Sequence, residues 1–204
     1  MTTSHRRAKP LPPDDRRREI IEAVIPLLLE KGSALSTREI ADAAGVAEGT
    51  VFSVFPDKAS VIIEAVKVTV DSDSTRLALA GISEDAPFEL QLEMAAELLM
   101  ERGERIGILV GVLRTMDPSG TGRPPGAKRL ISESHASILT ALTDLFERHQ
   151  RWLRVDPGRA AVMFWGLAFA NAHALMTGNE RLEPGEIATM VLHGIASRNG
   201  EPVT

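Results

Sequence analysis

The segment 36–55, STREIADAAGVAEGTVFSVF, leaves little freedom to the chain around it. Ser36 followed by Glu39 is a capping box: the hydroxyl accepts a first-turn amide and the carboxylate reaches back to the cap amide, so a helix starts at Thr37. Ile40, Ala41 and Ala44 give that helix one narrow apolar face. Gly45 suits the left-handed conformation that stops a helix, Val46 suits burial in the corner, and a second helix runs over 48–54. Two short helices joined by a tight corner make a helix-turn-helix pattern, which points to DNA.

The charge balance does not contradict this. The 204 residues carry a net charge of −5, but residues 1–60 hold nine Lys+Arg and nine Asp+Glu, so the acidity lies outside the reading head. Arg6, Arg7, Lys9, Arg16, Arg17 and Arg18 face only Asp14 and Asp15 in the first eighteen residues, which reads either as a cationic arm for a polyanion or as a solvated tail. With no cysteine there is no disulfide framework, thiolate nucleophile or cysteine zinc site, and a reducing cytoplasm is the fitting compartment. The basic N-terminus has no apolar run behind it and so is no secretory signal. The longest nearly uncharged segment, 160–179, contains Asn171, His173 and Asn179 and reads as a buried helix rather than a membrane span. No cofactor is implied.

Along the chain, residues 1–13 read as extended or disordered, and Asp14 or Asp15 caps a first helix that runs to Lys31 with a kink at Pro26. Asp57 caps a fourth helix beginning at Lys58, and its apolar stripe carries it past Asp73 to about residue 79. Helices are expected over 87–102 and 104–116, with Gly103, Gly107 and Gly111 on one face, where close packing is the main reading. DPSGTGRPPG, 117–126, is a loop. Further helices cover 127–151, 157–178 and 184 onward, and the 157–178 helix is apolar on nearly all sides. The fold class is all-α. A basic arm (1–13), a helix-turn-helix domain (14–57), a linking helix (58–80) and a larger helical effector-binding and dimerisation domain (81–204) make up the expected organisation.

The run from Ile20 to Val66 resembles the DNA-binding domain of the TetR family of bacterial transcriptional regulators. The resemblance rests on Glu30-Lys31-Gly32, Ser36-Thr37, Ile40-Ala41, Ala44-Gly45-Val46, Gly49-Thr50-Val51-Phe52, Phe55-Pro56 and Asp57-Lys58. It implies a homodimeric regulator, usually a repressor, that binds a palindromic double-stranded DNA operator and responds to a small, hydrophobic effector. It implies that Glu48, Gly49, Thr50, Phe52 and Ser53 enter the major groove, with Thr37 and Arg38 near the backbone and Lys58 on a phosphate. Three positions depart from the family pattern: Ala47 lacks a capping side chain, Phe52 lacks the hydroxyl of a common tyrosine, and Val54 replaces a frequent His or Tyr. These departures imply weaker, salt-sensitive binding, and they keep a second reading open, an all-α ligand-binding or adaptor protein with weakened DNA binding.

For the effector, the resemblance points to the middle helices, with Met94, Leu98, Ile106, Leu113, Met116, Trp165, Phe169 and His173 as candidate contacts. The same residues also fit an ordinary core, and His173 a satisfied core histidine. Phe164, Leu167, Ala168, Ala172, Leu175, Met190 and Val191 are the candidate dimerisation residues, on helices that resemble the family's dimer pair. His135, His149, His173 and His193 show no metal-ligand spacing, so no metal site is expected. An enzyme is not expected either: the sequence has no cysteine or tyrosine, no carboxylate pair clustered with a histidine, and no phosphate-binding loop.

Overall fold

Several helix starts in this chain are set by short-range capping, and several helix ends by side chains that arrive from elsewhere. The computed structural model describes residues 12–71, 73–116, 127–172 and 180–195. In order they form α1 (Pro13–Lys31), a 3-10 turn (Gly32–Ala34), α2 (Thr37–Ala43), α3 (Glu48–Val54), α4 (Lys58–Val70), α5 (Asp73–Ala80) and α6 (Phe88–Met116). There follow α7 (Ala127–Glu147), a second 3-10 turn (Gln150–Trp152), α8 (Pro157–Ala172) and α9 (Pro184–Ile195), with no strand among the described residues. The expected loop over 117–126, the end of the 157–178 helix and the terminal segments lie outside the described residues.

Several expectations are corrected. Helix α1 begins at Pro13 with no side-chain cap; Pro13 pre-sets the first helical φ, and Asp14 and Asp15 fall inside the first turn. The helix expected over 58–79 is two helices, because Val70 is the last helical residue and Asp71 restarts the chain by accepting the Asp73 amide at 3.2 Å. The helices expected over 87–102 and 104–116 are one, α6, which passes through Gly103 without interruption.

The chain divides into two compact units, Met1–Thr69 with Ile108–Pro125, and Val70–Gly107 with Gly126–Thr204. In the first, Ile20, Val24 and Leu28 of α1, Ile40 of α2, Val51 of α3, Phe55, and Val61 and Ile62 of α4 are fully buried. The last turns of α6 join this unit. Val112 Cγ2 lies 3.6 Å from where a Cβ on Gly32 would sit, and Thr115 Oγ1 donates to Ser33 Oγ at 2.8 Å. A Cβ on Gly32 would fit there as an ordinary contact, and glycine is required instead by its φ of 61°, in the left-handed region.

The second unit has its own core of Leu92, Ala95, Leu99, Ile138, Leu142, Phe146, Phe164 and Ile187, with Phe146 edge-on to both Phe88 and Phe164. Buried polar side chains tie its connections. Gln91 donates to the Ala86 carbonyl at 2.7 Å, fixing the turn before α6, and Asn171 pairs with both backbone groups of Leu182 at 2.8 and 2.9 Å. Arg102, only 6% exposed, donates to the carbonyls of Val70 and Asp71 at 2.6 and 3.1 Å and to Ser134 Oγ. The two carbonyls left free at the end of α4 thus receive a cation, which the negative end of the helix dipole favours. Burial pushes the Arg102 pKa down, with Arg105 adding to the effect.

Of the helical glycines, Gly103 is packed against Ala172 so closely that a Cβ would collide with the Ala172 Cβ, whereas at Gly111 a Cβ meets nothing within 4 Å. The two sites therefore predict opposite signs. Gly111→Ala should stabilise by up to about 1 kcal/mol through helix propensity. Gly103→Ala should destabilise by about 1 kcal/mol net, because overpacking outweighs that gain. Denaturant midpoints of the two variants check the prediction.

Candidate nucleic-acid interface

Helix α2 carries the capping box in full. The Ser36 hydroxyl accepts the Glu39 amide, while Glu39 accepts the Ser36 amide at 2.8 Å and the Ser36 hydroxyl at 2.7 Å. Lys31 adds a bond to the same carboxylate at 2.7 Å. The Lys31 bond first, then those from Ser36, hold the Glu39 carboxyl down from 4.5 to about 2. This contribution is complete above the unfolded pKa and is lost as pH falls towards the folded value. At the corner Gly45 has φ 65°, where a Cβ would be strained, and the Val46 amide reaches back to the Ala41 carbonyl at 3.0 Å.

Helix α3 then presents its two faces unequally. Val51 is fully buried, while Glu48, Gly49, Phe52 and Ser53 are exposed and Thr50 is half-buried. Ala47 caps α3 with no side-chain bond, and Ser53 Oγ donates to the Thr50 carbonyl at 2.7 Å. On α2, Thr37 is half-buried and the Arg38 side chain is 82% exposed, 3.9 Å from Asp42. Lys58 is more constrained than its sequence position suggests. Its ammonium donates to the Leu35 carbonyl at 2.9 Å and the Ser33 carbonyl at 3.2 Å, which closes the end of the first 3-10 turn and leaves one N–H for another acceptor.

The sequence reading missed Arg17. Counted there among the arm cations, it sits on α1 and makes a bidentate pair with Glu64 of α4, with Nε to Oε1 at 2.9 Å. It also donates to the Val54 carbonyl at 2.7 Å, at the end of α3, and lies 4.3 Å over the Phe55 ring. One guanidinium thus joins α1, the end of α3 and α4, and the Glu64 bond raises its pKa while that of Glu64 falls. Arg16 and Arg18 pair with Glu19 and Asp15, so these three cations are no free arm; Arg6, Arg7 and Lys9 lie outside the described residues.

In the second unit, Trp165 and Phe169 stack at 5.1 Å between centroids, and His135, unmarked as a contact from sequence, lies 4.9 Å from Trp165 and 6.0 Å from Phe169. Burial, with Arg102 second, lowers the His135 pKa and favours the neutral ring. Leu98 and Ile106 are half-buried in this unit and Met94 is 40% exposed, whereas Leu113 and Met116 fall in the first unit. His173 and Leu175 lie outside the described residues. An open groove of about 650 Å³ is lined by Arg76, Glu84, Thr140, Asp144, Glu147 and Arg148, and by none of the residues expected to touch an effector.

The residues named for dimerisation divide. Phe164, Ala168, Ala172 and Val191 are buried in the protomer's own core, since three- and four-residue spacing turns them inward. Leu167 is half-buried and Met190 is 52% exposed; Val162 and Met163, 54% and 50% exposed, are the outward apolar residues of α8. Among the described residues no helix is long and apolar enough to cross a membrane, and no three potential metal ligands cluster.

The architecture is therefore a helix-turn-helix head followed by an all-helical unit. Residues 20–65 match the model of the bacterial regulatory proteins of the tetR family. The head is that of the TetR family, and the whole chain carries that family's fold. A TetR-family transcriptional regulator from Mesorhizobium loti MAFF303099 is 24% identical with a TM-score of 0.65, over 92% of this chain and all of the other. The flavonoid-responsive regulator FrrA is 23% identical with a TM-score of 0.56, over 91% of this chain and 99% of its own. SmeT, in complex with triclosan, is 20% identical with a TM-score of 0.57, over 93% and 96%. No curated protein matches the sequence.

Replacing Arg17 with Ala should destabilise the head by about 1–2 kcal/mol, from a partly exposed bidentate pair and a charged bond to a carbonyl. Hydrogen exchange checks this: amides of α3 should exchange faster while those of α8 keep their protection.

Proposed function

We infer that the chain is a ligand-responsive, DNA-binding transcriptional regulator that acts as a homodimeric repressor. The observation that carries this reading is the outward face of α3, where Glu48, Gly49, Phe52 and Ser53 stand exposed above a buried Val51 on a capped, arginine-tied head. Helix α3 enters the major groove, with Arg38 and the remaining N–H of Lys58 on phosphates. Two heads read half-sites about 34 Å apart, one helical turn. The outward apolar residues Val162, Met163 and Met190 of α8 and α9 supply the pairing surface.

A hydrophobic effector contacts the Trp165–Phe169–His135 group, with Leu98 and Ile106 of α6 as further candidate contacts. The ligands named for SmeT and FrrA support an effector of this kind. For repression to be relieved, the effector must bind the DNA-incompetent state more tightly than the competent one. The rival reading, a ligand-binding protein with weakened DNA contact, draws on the uncapped Ala47, the missing Phe52 hydroxyl and the two carbonyls already held by Lys58.

Lys58→Ala should weaken binding to all duplexes and lower the slope of log K against log salt by about one, while Lys58→Arg retains most of the affinity. Thr50→Ala should weaken operator binding with an unchanged circular dichroism spectrum. Anisotropy titrations on duplexes selected from genomic DNA separate the readings, and the absence of any salt-dependent, sequence-preferring binding favours the rival.

Of the two tryptophans, Trp152 and Trp165, only the second belongs to the aromatic group. In a Trp152→Phe variant, ligands that change operator affinity should shift or quench the remaining emission. Constant emission with such ligands would remove this surface from the effector site.

A further inference from the structure

The exposed face of α3 has an unusual chemistry for a reading head, and it narrows what that face can read. The helix EGTVFSV contains no Lys, Arg, Asn or Gln. The commonest specific base contacts, Arg or Lys to the guanine edge and Asn or Gln to the adenine edge, are therefore not available from it. What it does expose are a carboxylate, an aromatic ring and a bare stretch of backbone. Phe52 is 48% exposed, the one large apolar side chain turned outward on this helix. Glu48, four residues earlier, lies on the same helical face. A Cβ at Gly49 would meet nothing within 4 Å, so the backbone beside Glu48 is free to approach a surface closely.

Both side chains suit pyrimidines. In the major groove thymine offers its 5-methyl group, which takes apolar contact, and cytosine offers its N4 amino group, which donates to a carboxylate. Guanine offers only the acceptors N7 and O6, which a carboxylate repels, and adenine sets its N6 amino donor beside the N7 acceptor, whereas the cytosine amino group has no acceptor beside it on that edge. Resting on the DNA-binding reading above, we propose that α3 reads pyrimidine edges: Phe52 packs on a thymine methyl and Glu48 accepts from a cytosine N4 amino group in each half-site. Phe52 is then a specificity-determining residue, because the contact depends on a methyl group that only one of the four bases carries.

The test uses the full chain and duplexes it selects from a random library. Thymines of a selected duplex are replaced one at a time by uracil, which removes only the methyl, and affinities are read by fluorescence anisotropy. One position per half-site should lose about fourfold in affinity, the effect of burying one methyl-sized group, while substitutions in the flanks change nothing. Phe52→Ala should abolish that sensitivity and Phe52→Leu should retain it; Phe52 is half-exposed, so folding is not at stake, and circular dichroism verifies it. Selection with Glu48→Ala should lose the cytosine preference at one position. Equal binding of thymine and uracil duplexes by the parent, or full uracil sensitivity in Phe52→Ala, overturns the proposal while leaving DNA binding intact. Recovery of no duplex at all overturns the DNA-binding reading itself and this inference with it.

Discussion

Each helix in this fold ends in backbone groups that have no partner within the helix, and supplying those partners is the constraint that organises the described chain. At N-termini the supply is local. Ser36 serves α2, Asp57 accepts the Ser60 amide at 2.7 Å for α4, and Asp156 accepts the Arg159 amide at 3.2 Å for α8. At several C-termini it comes from cations on other elements: Arg17 for α3, Lys58 for the first 3-10 turn, Arg102 for α4, and Arg154, which donates to the Gly194 carbonyl at 2.7 Å, for α9, while α1 and α2 close through the amides of Gly32 and Val46. The sign is the one the helix dipole favours at each end. Basic residues that resemble a nucleic-acid footprint in a linear reading are thus partly committed to holding the helices that form the surface.

That commitment shapes the candidate interface. With Arg16, Arg17 and Arg18 paired and Lys58 largely engaged, Arg38 keeps an 82% exposed side chain, and α3 carries no cation. Phosphate contacts position a protein on a duplex and base contacts specify the sequence. On the DNA-binding reading proposed above, a head whose described cations are mostly paired gains less from the counterion release that dominates affinity, and a larger share of its discrimination falls to base edges.

In the second unit a buried charge gives its hydrogen bonds to neutral acceptors. Arg102 faces two carbonyls and a hydroxyl at the point where α4 stops and α5 begins, and a nearby Gly103 lets α6 pack against α8 at Ala172. The interruption after Val70 and the continuity of α6 have different origins. A tertiary partner made the break at Asp71 affordable, and helical hydrogen bonding carried α6 through a glycine that propensity alone disfavours by about 1 kcal/mol.

What the sequence determined by itself was whatever depends on a few neighbouring residues. The capping box, the left-handed Gly45, the Asp57 cap and the starts at Pro157 and Pro184 are short-range events, and the face of α3 follows from the helical period. Among the described residues one expected helix is two and two expected helices are one, because a break depends on partners that arrive from elsewhere in the chain. Tertiary structure alone decided that Arg17 and Lys58 are structural ties, that His135 joins Trp165 and Phe169, and that Phe164 and Ala168 face the protomer's own core while Val162 and Met163 face outward. A pattern of apolar residues says that a helix has a buried face, and it is the same pattern whichever chain does the burying. Only the packed fold distinguishes them, because burial and charge pairing are properties of residues brought together across tens of positions.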